Sequence, residues 1–68
     1  MYKIVFHYTA NCTETYGGGT YIYQGEKYAI LNDLQPKLYK SKGMAERSAK
    51  QIFQSCSNVG YEYEIVEV

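Results

Sequence analysis

The chain has 68 residues, seven basic and seven acidic side chains that cancel, two cysteines, and nine tyrosines against two phenylalanines and no tryptophan. That length makes one domain, residues 1–68, burying only about 60 % of its unfolded surface. Cys12 and Cys56 permit at most one disulfide, and the chain holds no apolar run near the roughly 18 residues of a membrane span. Balanced charge argues against a strongly acidic DNA mimic and against a generally basic nucleic-acid binder.

From Tyr2 to Thr9 the residues alternate, Tyr2, Ile4, Phe6 and Tyr8 on one side and Lys3, Val5, His7 and Thr9 on the other. This is the period of a half-buried strand. Nothing before it resembles a signal peptide, so a cytoplasmic location with reduced thiols is expected. Residues 13–16 extend that strand, and Gly17, Gly18 and Gly19 read as the turn of a hairpin returning through Thr20–Gln24. Gly25-Glu26 reads as a tight turn, Lys27–Leu31 as a third strand, and Asn32-Asp33 as a further turn. Beyond Pro36 lies a short extended piece, Lys37–Lys40.

Ala45, Ala49, Ile52, Phe53 and Cys56 then form a single apolar stripe at helical spacing. Ser41 is the expected N-cap. Asn58 is expected in the left-handed conformation that ends a helix, with Val59 folding back toward Phe53. Tyr61–Val68 is a last strand, with Tyr61, Tyr63 and Ile65 on one side.

These elements predict an α+β fold: an antiparallel β-meander, one amphipathic helix packed on one face, and a C-terminal closing strand, in the order ββββαβ or βββαβ. A single helix covers only one face of such a sheet. Apolar side chains fall on both faces, Val5 against Phe6, Ile22 against Tyr21 and Tyr23, Leu31 against Ile30 and Val66 against Ile65, so a patch of tyrosine and aliphatic side chains is expected on the uncovered one. Patches of that kind mark interfaces, either with another protein or between two copies of the chain as a homodimer.

Catalytic chemistry finds little support in the residue pattern. One histidine, His7, and two separated cysteines, Cys12 and Cys56, lack the paired spacings of a zinc site. The glycine triplet has no following Gly-Lys-Ser/Thr, so it is no phosphate-binding loop. Glu62 and Glu64 have no evident acid, base or nucleophile beside them. The expectation is a protein without enzymatic activity, cofactor or metal.

Tyrosine is the informative residue. It joins an apolar body to a polar tip and suits a surface that is buried on one side and wet on the other. Tyr16, Tyr21 and Tyr23, flanking Gly18 in a mobile loop, are the expected partner-binding set. An alternative is a single-stranded nucleic-acid binder, with bases stacked on sheet tyrosines and Lys37, Lys40, Lys42 and Arg47 tracking phosphates. Of these, Lys37, Lys40 and Lys42 cluster where the positive end of the helix dipole favours anions.

The stretch Leu38-Tyr39-Lys40-Ser41-Lys42-Gly43-Met44-Ala45-Glu46-Arg47, with Tyr61-Glu62-Tyr63-Glu64-Ile65-Val66-Glu67-Val68 after it, resembles the back half of many small phage and prophage proteins. In those, an aromatic-Lys-Ser/Thr strand end leads into an Ala-rich helix and a Val/Glu-rich last strand. The resemblance implies a compact accessory protein of a mobile element. Such proteins often bind and inhibit a host machine, anti-CRISPR and anti-restriction inhibitors among them. It implies a host protein as partner and transfers no site residues, because the group shares none.

Overall fold

A computed structural model describes all residues, 1–68. Its elements are β1 (Tyr2–Thr9), β2 (Cys12–Tyr23), β3 (Glu26–Leu31), α1 (Lys42–Ser55) and β4 (Glu62–Glu67). The four strands make an antiparallel sheet in the order β3-β2-β1-β4. This is the α+β architecture that the sequence pattern predicts, in its βββαβ form.

The alternation of β1 decides where the core lies. Ile4 and Phe6 are fully buried, and Tyr2 and Tyr8, on the same side, pack against the core around them. The helix supplies Ala45, Ala49 and Ile52 as its buried stripe. Ser41 caps it as expected, its Oγ accepting the Met44 N–H at 3.2 Å and satisfying one of the free donors of the first turn.

The glycine triplet does not turn the chain. Ala10 and Asn11 make the turn between β1 and β2, and the glycines lie inside β2. There the register against β3 shifts between Tyr16 and Thr20. Gly18 and Gly19 have φ of 97° and 92°, a backbone region that only glycine enters without strain, and the result is a bulge that bends the strand. Before the bend, Thr13 and Thr15 pair with β1; after it, Thr20 to Tyr23 pair with β3 alone. The next turn falls on Gln24-Gly25, one residue earlier than expected, with φ of 52° and 82°. Positive values at both central residues match the twist of a two-residue hairpin.

The connection after β3 is pinned beneath the bend. Asn32 Oδ1 accepts the N–H groups of Leu34 and Gln35, and Asp33 Oδ1 accepts that of Thr15 at 2.7 Å. Where β2 leaves β1, the expected short extended piece takes over: Tyr39 exchanges two backbone hydrogen bonds with Tyr2, both 2.8 Å.

The helix ends at Ser55, and Cys56 is extended and buried. Asn58 is not left-handed; the positive φ near this helix end belongs to Gly60, at 73°. Asn58 serves another purpose. Its side-chain amide accepts the Ala29 N–H at 2.8 Å and donates to the Ala29 C=O at 3.0 Å. The Ser57 N–H donates to the Lys27 carbonyl beside it. The residues that lead into one edge strand thereby cover the outer side of the other, and the sheet is curled without closing.

The face turned away from the helix corrects the expected patch. Its β1 and β4 residues include Lys3, His7, Glu62 and Glu64 around half-buried Val5 and Val66. His7 Nε2 lies 3.1 Å from Glu64 Oε1. That face is mainly charged, because the tyrosines of β1 and β4 follow the alternation that points them toward the helix. No helix is long and apolar enough to cross a membrane.

Gly60 is the tightest backbone approach, since a Cβ there would overlap the His7 carbonyl. Gly60→Ala is expected to lower stability by about 3 kcal/mol in urea unfolding, through overlap and strain together. Gly43→Ala, in the helix and with nothing within 4 Å of the added carbon, is expected to be neutral or mildly stabilising. Equal losses from the two substitutions would contradict this assignment.

Candidate functional site: an aromatic hairpin

The structure divides the nine tyrosines into two groups. Tyr16 is buried, and Tyr2, Tyr8, Tyr39 and Tyr63 pack against the core. Tyr21, Tyr23 and Tyr61 are exposed and Tyr28 is half-buried.

Tyr16 is therefore not the exposed anchor that its place beside the glycines suggests. Its ring meets Phe6 edge-on at 6.4 Å, and its hydroxyl oxygen accepts the Gly19 N–H at 2.8 Å. The bulge frees that amide from the ladder, and the phenol satisfies it without leaving the core. Burial pushes the Tyr16 phenol above its usual range, with the Gly19 hydrogen bond pulling the other way. Gly18 belongs to the same bulge and sits on no mobile loop tip; the Lys37 side chain lies over it, 3.5 Å from where a Cβ would be.

Tyr21 and Tyr23 do lie where a partner can reach them. Residues 19–27, the far part of the β2–β3 hairpin, are all exposed. Pairing sets Tyr21 opposite Tyr28 and Tyr23 opposite Glu26. The Tyr21 and Tyr28 rings stack with centroids 5.4 Å apart and planes 24° apart. The Tyr28 hydroxyl donates to Glu26 Oε2 at 3.0 Å, which fixes the ring further and raises its pKa. Ile30 follows Tyr28 on the same face, and Ile22 projects from the opposite one. Tyr21 is 50 % exposed, Ile22 74 %, Tyr23 60 % and Ile30 42 %.

Sequence reading missed Tyr28 as a member of this surface and placed Ile22 and Ile30 only in the general apolar patch of the sheet. The signal was the turn: a two-residue Gln24-Gly25 connection fixes the register and puts Tyr21 across from Tyr28.

The four cations expected to track phosphates do not gather around these rings; the hairpin's own cation is Lys27, opposite Ile22 on the other face. Lys37 Nζ lies 5.8 Å from the Tyr39 ring centroid, and Lys40 is exposed near the helix cap. Lys42 and Arg47 line a groove between the helix and β4, at the opposite edge of the sheet from β3. No three of His, Cys, Asp and Glu gather into a cluster. A shallow hollow bordered by Tyr8, Cys12, Glu14, Leu31 and Asn58 holds a thiol and a carboxylate, while His7 is paired with Glu64 on the other face. No family model matches the chain, and no curated protein or solved structure matches it.

The Tyr8 hydroxyl donates to the Asn58 carbonyl, a bond that only the neutral phenol makes. Burial first, then Glu14 and Cys12, push its pKa from 10.0 to about 12. The folded-state value exceeds the unfolded one. Its stabilising contribution is thus complete below pH 10.0 and is lost as pH rises through about 12. In an ultraviolet phenol titration, Tyr8→Phe is expected to remove the most alkaline step and to flatten the alkaline fall in stability. An unchanged titration curve would contradict the assignment.

Proposed function

We propose that the chain is a non-enzymatic protein-binding module whose contact surface is the outer part of the β2–β3 hairpin. The observation that carries this is the placement of Tyr21, Tyr23 and Ile30, large apolar groups left exposed together on one face of the projecting hairpin beside the stacked Tyr28, with Ile22 exposed on its other face. Scattered surface apolar residues are normal, but a contiguous set is a recurring mark of an interface. Tyrosine is enriched at binding hot spots because it brings large contact area with few rotatable bonds. The stacked Tyr21–Tyr28 pair is already ordered, so docking costs little side-chain entropy. The particular form of this reading is a small mobile-element inhibitor that acts in the cytoplasm on a host protein.

A single-stranded nucleic-acid binder ranks second. Stacking on Tyr21 and Tyr23 requires cations beside them to follow the phosphates. Lys42 and Arg47 stand instead at the β4 edge of the sheet.

The test is a tagged capture from the cells in which the chain is naturally made, comparing wild type with Tyr21→Ala and Tyr23→Ala. A partner retained after nuclease treatment and at raised salt is expected. Each substitution is expected to weaken it by about 2 kcal/mol, roughly thirtyfold, with the unfolding midpoint unchanged. Equal binding by both variants would remove the hairpin as the contact surface. Loss of the bound material to nuclease, with a steep salt dependence, would favour the nucleic-acid reading.

A further inference from the structure

The two edges of the sheet are treated differently. The outer side of β3 is covered by Ser57 and Asn58. That of β4 is bare. In an antiparallel ladder a residue directs both its backbone groups to the same neighbour, and successive residues alternate. Tyr2 exchanges its bonds with Tyr39, on the β2 side, while the Met1 carbonyl accepts from Val68, on the β4 side. The odd residues of β1 therefore bond to β4. With Val5 opposite Glu64 and Lys3 opposite Val66, it is Glu62, Glu64 and Val66 that face β1. The N–H and C=O groups of Tyr63, Ile65 and Glu67 point outward, and no hydrogen bond within the protein reaches them.

A groove of about 630 Å³ runs beside this edge, floored by Tyr63 and Ile65 and walled by the helix flank that carries Lys42, Glu46, Arg47 and Lys50. Three cations oppose one carboxylate there. An exposed edge strand is a template for another strand, and soluble proteins usually blunt it. Here the bare edge lies next to a cationic wall.

From this juxtaposition we infer that the β4 edge is a second docking site, which takes an acidic extended segment of a partner protein as an added antiparallel or parallel strand. Main-chain bonds to Tyr63, Ile65 and Glu67 hold such a segment. Its alternate side chains on the helix side, carboxylates, meet Lys42, Arg47 and Lys50. A second copy of this chain fits less well: symmetric pairing of two β4 edges sets the two cationic helix flanks on either side of the axis. It also brings the Glu-rich strands side by side. The site is independent of the hairpin, which lies on the other side of the sheet.

The probe is a short capped peptide alternating glutamate and valine, titrated into the full chain and followed by amide chemical shifts and hydrogen exchange. The amides of Tyr63, Ile65 and Glu67 are expected to shift and gain protection, while those of Tyr21 and Tyr23 stay in place. The double variant Arg47→Glu with Lys50→Glu is expected to bind about tenfold more weakly or worse while keeping its circular dichroism. The same peptide N-methylated along its bonding edge keeps its charges and is expected not to bind. The proposal is overturned by equal binding of the methylated peptide, by shifts confined to other residues, or by no shift at saturating peptide. Concentration-dependent protection of the β4 amides without peptide would also overturn it, since a second copy would then be the occupant.

Discussion

The amide of Asn58 holds both backbone groups of Ala29, accepting its N–H at 2.8 Å and donating to its C=O at 3.0 Å. A side-chain amide has the donor and acceptor of a peptide group, so Asn58 stands in for one residue of a missing neighbouring strand. Each such bond contributes about 1 kcal/mol net, and leaving the pair unmet at buried Ala29 costs more. The same residue's carbonyl accepts from the Tyr8 hydroxyl, and Ser57 beside it bonds Lys27. Strands β1 and β3 thus meet at Ser57 and Asn58, in the connection between the helix and β4. Remove that junction and β3 keeps only β2 as a partner, in a ribbon of the kind that is marginal alone in water.

This junction explains the bulge. For the outer side of β3 to reach residues that precede β4, the sheet must curl. The flexion is placed at Gly18 and Gly19, where positive φ is free of strain. Tyr16 then fills the inside of the bend and answers the Gly19 amide. Beyond the bend the hairpin has no strand of the body beside it. Its side chains at Tyr21, Ile22 and Tyr23 remain in water for the same reason that β3 needs a clasp. The surface proposed for binding and the device that orders it are consequences of one bend.

Local patterns were legible in the sequence and long-range ones were not. The alternation of β1 gave the core side chains Ile4 and Phe6, and the spacing of Ala45, Ala49 and Ile52 gave the buried face of the helix. Ser41 as a cap rests on a contact three residues away. The glycines misled because a run of three is read as punctuation, and only pairing with β3 shows that they bend a strand instead of ending it. Asn58 misled in the same way: its left-handed propensity is local, while its bonds to Ala29 span 29 residues of sequence. Tyr21 and Tyr23 were found as exposed aromatics, but Tyr16 was misplaced because nothing in its neighbours reveals that its ring turns under the bulge. The bare β4 edge leaves no trace in composition; it follows only from strand order.

The central claim is that Asn58 clasps the hairpin to the body, which makes the hairpin a separately opening unit. Amide hydrogen exchange of Asn58→Ala against wild type tests it most directly. The expected result is exchange at Ala29 faster by about tenfold or more, with the amides of Ile4 and Phe6 keeping their protection. An unchanged Ala29 amide, or an equal loss at all three positions, would contradict the claim.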